Sequence, residues 1–292
     1  MTTPILTVDH LVVTIKGTPV LRDVSLRVAP GEVHGLVGES GAGKSTIGKA
    51  VLGLLPRAAK IAGGYVMFDG VDLVGMGEAE RRKLLTKEIA LIPQDPMTAL
   101  NPVKRIGAQI IRPLTRHLGL SKQEARARAL SLLGEVAIRD PEGVLERYPH
   151  ELSGGMRQRV LIAMAFSTTP RLIIADEPTT ALDVTVQRQI LALIRDLQTR
   201  HDAALLFVTH DLGVVAKICD RVTVLHAGRV LEQGSCAQVI EHPHHAYTQA
   251  LLAATPRFDR PGEVLAPVPA ELAASLWKEA ASWDAQHPGG AR

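Results

Sequence analysis

The feature that most constrains this chain is a glycine-rich stretch at residues 38–45, Gly-Glu-Ser-Gly-Ala-Gly-Lys-Ser. It fits the spacing G-x-x-x-x-G-K-[ST], with an apolar, strand-like run before it and a helix-compatible run after it. In such a loop, backbone N–H groups and the N-terminus of the next helix surround phosphate oxygens. The residues we predict to bind phosphate are Gly38, Glu39, Ser40, Gly41, Ala42, Gly43, Lys44, Ser45 and Thr46.

Two side chains of this loop have predicted roles of their own. Lys44 can reach the β- and γ-phosphates of a nucleotide, and the Ser45 hydroxyl is placed to ligate Mg²⁺. The plainer alternative is a glycine-rich turn without a ligand. That alternative is less expected, because a simple turn does not need Lys-Ser at this offset.

Composition limits the classes of protein to consider. The 292 residues, 46% of them hydrophobic, are enough for one large α/β domain or for a domain with an insertion. The 33 basic and 30 acidic residues are too balanced to predict nucleic-acid binding. The only cysteines are Cys219 and Cys236, which favours a reducing compartment. The longest apolar runs fall far short of the roughly 20 residues that span a membrane.

The order of strand-like and helix-like runs predicts the architecture. The first thirty residues and Gly64–Phe68 favour a small antiparallel sheet beside the phosphate loop. From Asp95 to about Tyr148 the pattern is helical, with a first helix predicted to begin at Val103. Alternating strands and helices resume at Leu172. This alternation predicts a mainly parallel sheet covered by helices, with a helical insertion.

Two carboxylates follow the apolar run Leu172–Ala175. Asp176 would lie at the carboxyl edge of the sheet, where a phosphate-bound Mg²⁺ is expected. Glu177 would polarise or orient the water that attacks the terminal phosphate. A buried strand that simply ends in a solvated Asp-Glu pair is less expected in a chain with a phosphate loop.

The segment Leu152-Ser153-Gly154-Gly155-Met156 precedes a helix predicted over residues 157–166. Ser153 alone would make an ordinary helix cap. Each of the two glycines costs about 1 kcal/mol relative to alanine inside a helix, so we interpret them as an opening for a phosphate. Because the chain has one phosphate loop, this second anion site is predicted to face a nucleotide held by a partner chain.

Gln94 and His210 each follow the end of a predicted strand. His210 is predicted to hydrogen-bond the γ-phosphate and the attacking water, although a histidine at a strand end is usually structural. Gln94 is predicted to contact Mg²⁺ or the water. Its position at the entry to the helical insertion would let nucleotide state move that insertion.

With these motifs in this order, residues 5 to 254 resemble the ATP-binding subunit of an ABC transporter. The matching motifs are Walker A at 38–45, the Q-loop at Gln94, the signature at 152–156, Walker B at 172–176, the D-loop at 181–183 and the switch at His210. The resemblance implies a P-loop NTPase (RecA-like) core with a flanking antiparallel β-subdomain and an inserted α-helical subdomain. It implies a core at 1–95 and 156–245, a signature subdomain at 96–155 and a C-terminal tail at 246–292.

The resemblance also implies a mechanism. Two such domains would close head to tail over two ATP molecules, each Walker A facing the partner's signature, and hydrolysis would drive membrane permease subunits. The implied ATPase uses Lys44, Gln94, Glu177 and His210 in catalysis, and Ser45, Gln94 and Asp176 with Mg²⁺. The implied partners are the permeases, an identical or paralogous second ATPase and, indirectly, an extracytoplasmic solute-binding protein, with no nucleic acid. The implied location is the cytoplasmic face of the cell membrane.

Three shorter segments, at 94–102, 181–187 and 244–248, resemble the oligopeptide, dipeptide and nickel importer subfamily. Peptide uptake is the function we predict from them. The alternatives are nickel or metallophore import by the same mechanism, and a soluble ABC ATPase that serves a cytoplasmic enzyme complex such as phosphonate cleavage.

The chain also departs from the family pattern. Ile15 stands where an aromatic ring usually stacks on adenine, which leaves base selectivity open. No cysteine follows Cys236, so we predict no iron–sulfur cluster in the tail. Trp277 and Trp283 lie on a predicted last helix, for which packing on the core or on a second ATPase is the default expectation.

Overall fold

The computed structural model describes residues 3–180, 182–255 and 267–290. Its strands, in chain order, are β1 Leu6–Ile15, β2 Thr18–Val28, β3 Val33–Val37, β4 Ala59–Phe68, β5 Val71–Asp72, β6 Ile89–Ile92, β7 Leu172–Asp176, β8 Ala204–Thr209, β9 Arg221–His226 and β10 Arg229–Ser235. Its helices are α1 Lys44–Val51, α2 Glu78–Glu88, α3 Pro96–Ala99, α4 Ile106–Leu118, α5 Lys122–Glu135, α6 Pro141–Glu146, α7 Gly154–Phe166, α8 Val184–His201, α9 Leu212–Ile218, α10 Cys236–Glu241, α11 Ala246–Ala253 and α12 Ala270–Gln286. Among the described residues, no helix combines the length and apolar character that a membrane span requires.

The chain forms two compact units. The first contains the described parts of residues 1–77 and 206–292, and the second contains residues 78–205. The domain boundaries predicted at residues 95, 155 and 245 divide the chain by function rather than by compactness, and they stay a prediction.

The first unit contains both kinds of sheet. An antiparallel sheet has the order β2-β1-β4-β5, which confirms the small sheet predicted beside the phosphate loop. In the other sheet β3 lies between β9 and β8, pairs in parallel with β9, and is buried along its whole length. The strand β9 also pairs with β10 through an antiparallel hairpin. Strands buried on both faces are typical of parallel sheets covered by helices, and the end of β3 leads directly into the phosphate loop.

The second unit joins a parallel strand pair to the helices of the insertion. Strands β6 and β7 pair in parallel from Ile89 opposite Leu172 to Ile92 opposite Ala175, so both end at the same edge. Helix α5 begins with a capping box, in which Ser121 accepts from the backbone N–H of Glu124 and Glu124 accepts from that of Ser121. The helical insertion predicted from the sequence is therefore present as α3 to α6.

Two predicted helix boundaries were wrong. The helix predicted from Val103 begins at Ile106, because the Asn101 side chain accepts from the backbone of Val103 and holds a turn there. The helix predicted from Arg157 begins at Gly154, because the Ser153 side chain caps it and both glycines take helical positions.

Candidate functional site

The phosphate loop requires glycine at three positions for two different reasons. A Cβ at Gly38 would lie 2.2 Å from the carbonyl oxygen of Leu225, and a Cβ at Gly43 would lie 2.6 Å from a methyl group of Leu21. Gly41 has a φ of 84°, while a Cβ there would meet no atom within 4 Å. Packing thus demands glycine at 38 and 43, and backbone conformation favours it at 41.

The Lys44 side chain lies inside this loop and binds its backbone. This side chain is buried, and Nζ donates to the carbonyl oxygens of Gly38 at 2.7 Å and Glu39 at 2.9 Å. No side chain caps the N-terminus of α1, where Gly43 precedes Lys44. A buried ammonium group and an uncapped helix N-terminus both attract negative charge, so the loop fits an anion such as a phosphate group.

The remaining loop side chains occupy different environments. Ala42 is buried, Ser40 is exposed, and Ser45 and Thr46 are half-buried in the first turn of α1. The hydroxyl groups of Ser45 and Thr46 therefore lie in the first turn of the helix that follows the loop. Oxygen ligands of this kind suit Mg²⁺, which prefers hard oxygen donors.

The second unit holds Glu177 at the end of β7. Leu172 to Ala175 are buried, Asp176 and Glu177 are half-buried, and the backbone of Glu177 has a φ of 46°. A left-handed conformation at a residue other than glycine is strained and is found preferentially at functional sites. This strain turns the chain sharply after the strand and exposes the carboxylate.

Gln94 and Glu177 meet in this unit. Gln94 Nε2 donates to Glu177 Oε2 at 3.1 Å, and the Thr180 hydroxyl donates to the same oxygen at 3.0 Å. The contact arises because β6 and β7 are parallel and end together. Two donors on one oxygen restrict the rotation of the carboxylate, which favours a fixed direction toward an attacking water.

The signature segment forms the start of α7. Ser153 Oγ accepts from the backbone N–H of Met156 at 3.3 Å, which is an ordinary helix cap. A Cβ at Gly155 would lie 3.2 Å from a methyl group of Val186, so close packing against α8 explains this glycine. A Cβ at Gly154 would meet nothing within 4 Å. Among the residues that the structure describes, the space around Gly154 is therefore open, and no packing contact requires a glycine there.

His210 belongs to the first unit. It follows β8 directly and is exposed, as a residue that contacts a ligand beyond the strand end would be. The next residue, Asp211, caps α9 by accepting from the backbone N–H of Gly213 at 2.8 Å. Of the D-loop, Ala181 lies outside the described residues, while Asp183 caps α8.

Sequence reasoning missed three residues of these surroundings. Thr180 lies three positions after Glu177, and a hydroxyl so close to a predicted catalytic carboxylate was a usable signal. Arg22 contacts the turn at Ala227 and Gly228, which supports the loop, and His226 approaches the loop from far along the chain. His226 Nδ1 lies 3.6 Å from Glu39 Oε2, and burial lowers the pKa of this histidine.

Comparison with known proteins gives two family matches. Residues 21–180 match the family described as ABC transporter, and residues 231–276 match the family described as the C-terminal region of oligopeptide/dipeptide transporters. The first segment contains the phosphate loop, Gln94, the signature and Glu177. The second contains α10 and α11 and ends within α12.

Curated relatives are similar over most of this chain. A peptidoglycan transport ATP-binding protein, YejF, of Agrobacterium fabrum is 50% identical over 89% of this chain, which spans 48% of that relative's length. The oligopeptide transport ATP-binding protein OppD of Bacillus subtilis is 48% identical, over 83% of this chain and 68% of its own length. The dipeptide transport ATP-binding protein DppD of Escherichia coli is 48% identical, over 84% of this chain and 75% of its own length.

Solved structures show the same fold. A Clostridium perfringens protein described as part of the cbiONQ ABC transporter complex aligns with a TM-score of 0.73 at 29% identity, over 82% of this chain and 91% of that one. The ATP-binding cassette MJ0796, solved as a dimer in a post-hydrolysis state with ADP and phosphate, aligns with a TM-score of 0.69 at 28% identity, over 79% of this chain and 98% of that one.

Proposed function

The chain belongs to the ABC transporter family of ATP-binding proteins, and on this premise we propose that it is the ATPase subunit of a peptide importer. The proposal combines ATP binding at the phosphate loop, hydrolysis assisted by Glu177, and transport through partner membrane permeases. The location that follows is the cytoplasmic face of the membrane, as a peripheral subunit. The proposed functional division has a core at 1–95 and 156–245, a signature subdomain at 96–155 and a tail at 246–292.

The observation that carries the proposal is the Glu177 carboxylate, which two donors fix at the end of a buried strand. In the proposed reaction Glu177 orients a water and accepts its proton, while Gln94 and Thr180 hold the carboxylate in place. Lys44 would bind phosphate oxygens, and Ser45, Gln94 and Asp176 are the residues that we propose would ligate Mg²⁺. When bound, Mg²⁺ would neutralise phosphate charge that develops during hydrolysis.

A second subunit is part of the proposal because the start of the signature faces outward. Ser153 and Gly154 are exposed, and the side-chain space at Gly154 is open. We assign Ser153, Gly154 and Gly155 to the nucleotide of a partner ATPase, and His210 to the γ-phosphate of its own nucleotide. The partner is either a copy of this chain or a paralogue.

A groove on the helical insertion supports a permease partner. It has a volume of about 540 Å³, and its lining includes Lys104, Ala108, Arg112, Pro113, Arg116 and Met164. The three basic side chains are exposed, and the apolar part of the lining comes from the exposed Ala108 and the half-buried Pro113 and Met164. This combination suits an amphipathic helix with acidic residues along its edge, and we propose that a permease supplies it.

The assignment of peptides as the transported solute rests on the names of the relatives and on the C-terminal family match. The test is uptake of labelled dipeptides, labelled oligopeptides and nickel by a strain that lacks this chain. We expect peptide uptake to be lost, and to return with the wild-type chain but not with Glu177→Gln. Loss of nickel uptake alone would assign the chain to metal import. Normal uptake of both solutes, together with copurification of a soluble enzyme core, would overturn the transport function.

A further inference from the structure

The phosphate loop rests on a two-residue turn that joins β9 to β10. Gly228 N–H donates to the carbonyl oxygen of Ala42 in the loop at 3.0 Å. Both residues of the turn have positive φ, 48° at Ala227 and 72° at Gly228, and a Cβ at Gly228 would lie 2.0 Å from the carbonyl oxygen of Val20. A tight turn of this kind tolerates little distortion. A shift of the turn therefore reaches the loop directly.

Arg22 fixes this turn from the opposite side. Its backbone N–H donates to the carbonyl oxygen of Gly228 at 2.8 Å, and its Nη1 donates to that of Ala227 at 2.7 Å. Only 6% of Arg22 is exposed. Burying a guanidinium group to this extent costs desolvation free energy, which a paired negative group offsets. The position of the turn thus depends on whatever carboxylate neutralises Arg22.

That carboxylate comes from the far end of the chain. Arg22 Nε donates to Asp284 Oδ1 at 2.6 Å, and Nη2 donates to Asp284 Oδ2 at 2.8 Å, which is a bidentate ion pair. Asp284 lies on α12, which packs through the buried side chains Leu276 and Ala280. It also lies beyond both segments that match known families, which end at residues 180 and 276.

Helix α12 reaches the loop by a second contact. The ring of Trp277 lies edge-on to the ring of His226, with centroids 5.8 Å apart. His226 is the last residue of β9 and approaches Glu39 of the phosphate loop, with 3.6 Å between Nδ1 and Oε2. Two separate contacts therefore lead from one helix to the two sides of the loop, at Ala42 and at Glu39.

We propose that α12 is a positioning element for the nucleotide, in which Asp284 neutralises Arg22 and so keeps the turn and the phosphate loop in their binding geometry. The inference rests on the proposed ATP site and adds a dependence that the phosphate-loop motif does not contain. Docking of α12 and binding of the nucleotide then strengthen each other, because coupling between two equilibria is reciprocal. Asp284 is a positioning residue, since it acts through Arg22 and the turn.

The first experiment measures ATP affinity in the full chain with Asp284→Asn, which removes the charge and keeps the shape. We expect the Kd to rise at least about fivefold, the lower range for coupled sites, and KM to rise while kcat changes less than about twofold. Asp284→Glu keeps the charge and should recover most of the affinity. The matched control is Glu271→Gln, which removes an exposed carboxylate from the first turn of the same helix. Its Kd should stay within about twofold of the wild-type value.

The second experiment uses the wild-type chain and does not depend on how the variants fold. Hydrogen exchange of the α12 amides is measured with and without ATP, and reciprocity requires ATP to slow exchange by the same factor by which docking raises affinity. The only tryptophans, Trp277 and Trp283, both lie on α12, so their emission reports the same event.

The outcomes separate this inference from the function on which it rests. A wild-type chain that binds no ATP would overturn the proposed function and this inference with it. A wild-type chain that binds ATP, with an Asp284→Asn variant of equal affinity or with α12 exchange that ignores ATP, would overturn the inference alone.

Discussion

The phosphate loop and the signature segment, which we propose as two phosphate sites, are built in opposite ways. The loop is supported from within its own unit, since Lys44 is buried and Gly38 and Gly43 touch neighbouring atoms closely. The signature is exposed at Ser153 and Gly154, and a Cβ at Gly154 would meet no described atom within 4 Å. One site is completed by its own chain, and the other is left open.

The difference shows where each site obtains its rigidity. Interior packing holds the loop in one geometry before any ligand arrives, which lowers the entropy cost of binding. The signature has a cap and a helix N-terminus, and a Cβ at Gly154 would meet no atom of the described residues within 4 Å. A surface of this kind is complete only when another molecule covers it, in agreement with the proposed two-subunit site.

The largest effect is expected where the chain fixes a reacting group. Glu177→Gln keeps the size of the side chain but removes the proton acceptor, so ATP hydrolysis should fall by roughly 10²- to 10⁴-fold while ATP binding persists. Steady-state hydrolysis and nucleotide binding measure the two effects, and size-exclusion chromatography with ATP should detect a trapped dimer. Glu80→Gln, an exposed glutamate of the same unit, is the control. Hydrolysis at the wild-type rate would remove Glu177 from its proposed role.

Two glycine substitutions test whether the loop is more tightly supported than the signature. Gly228 lies in the turn that contacts the loop, and Gly154 lies in the signature. Gly228→Ala forces a Cβ to within 2.0 Å of backbone at a φ of 72°, and it should lower the free energy of unfolding by about 2 kcal/mol or more. Gly154→Ala places a Cβ in open space at the start of a helix and should leave stability unchanged or raise it by up to about 1 kcal/mol.

Chemical denaturation measures both of these variants, and ATPase assays then separate stability from activity. Gly154→Ala should fold normally yet hydrolyse ATP more slowly, because the methyl group obstructs the approach of a partner's nucleotide. Equal loss of stability in the two variants would show that the signature is packed as tightly as the turn that supports the loop. The difference in support between the two sites would then be wrong.

The smallest expected effect is the pH dependence of stability that arises from His226, beside the phosphate loop. Burial lowers the pKa of His226, against the opposing charge of Glu39 and with a smaller contribution from His245. The unfolded chain therefore binds a proton near pH 6.5 that the folded chain binds only at lower pH, so stability is complete above about pH 6.5 and falls below it.

Denaturation curves between pH 7.5 and pH 5.5 measure this slope. His226→Phe keeps an aromatic ring, removes the titrating group and should flatten the slope. An unchanged slope in His226→Phe would mean that another group controls the pH dependence.

Local motifs could be read from the sequence because their spacing carries the chemistry. The strands that end at Val37 and Asp176 and the insertion between them were predicted from patterns of a few residues. The boundary at Gly154 was predicted wrongly, because glycine is a poor helix former and only the cap at Ser153 and the packing of Gly155 on Val186 place it in a helix. That packing joins two helices, so no local pattern contains it.

The sequence by itself was enough to predict a phosphate site, because the residues from Gly38 to Ser45 would act through backbone geometry that neighbouring positions set. Only the tertiary structure decided what supports them. Arg22 and Asp284 are 262 positions apart, and the turn at Ala227 and Gly228 lies between them in the chain. Contacts over such distances depend on how the strands and α12 pack together, and no spacing rule in the sequence encodes them.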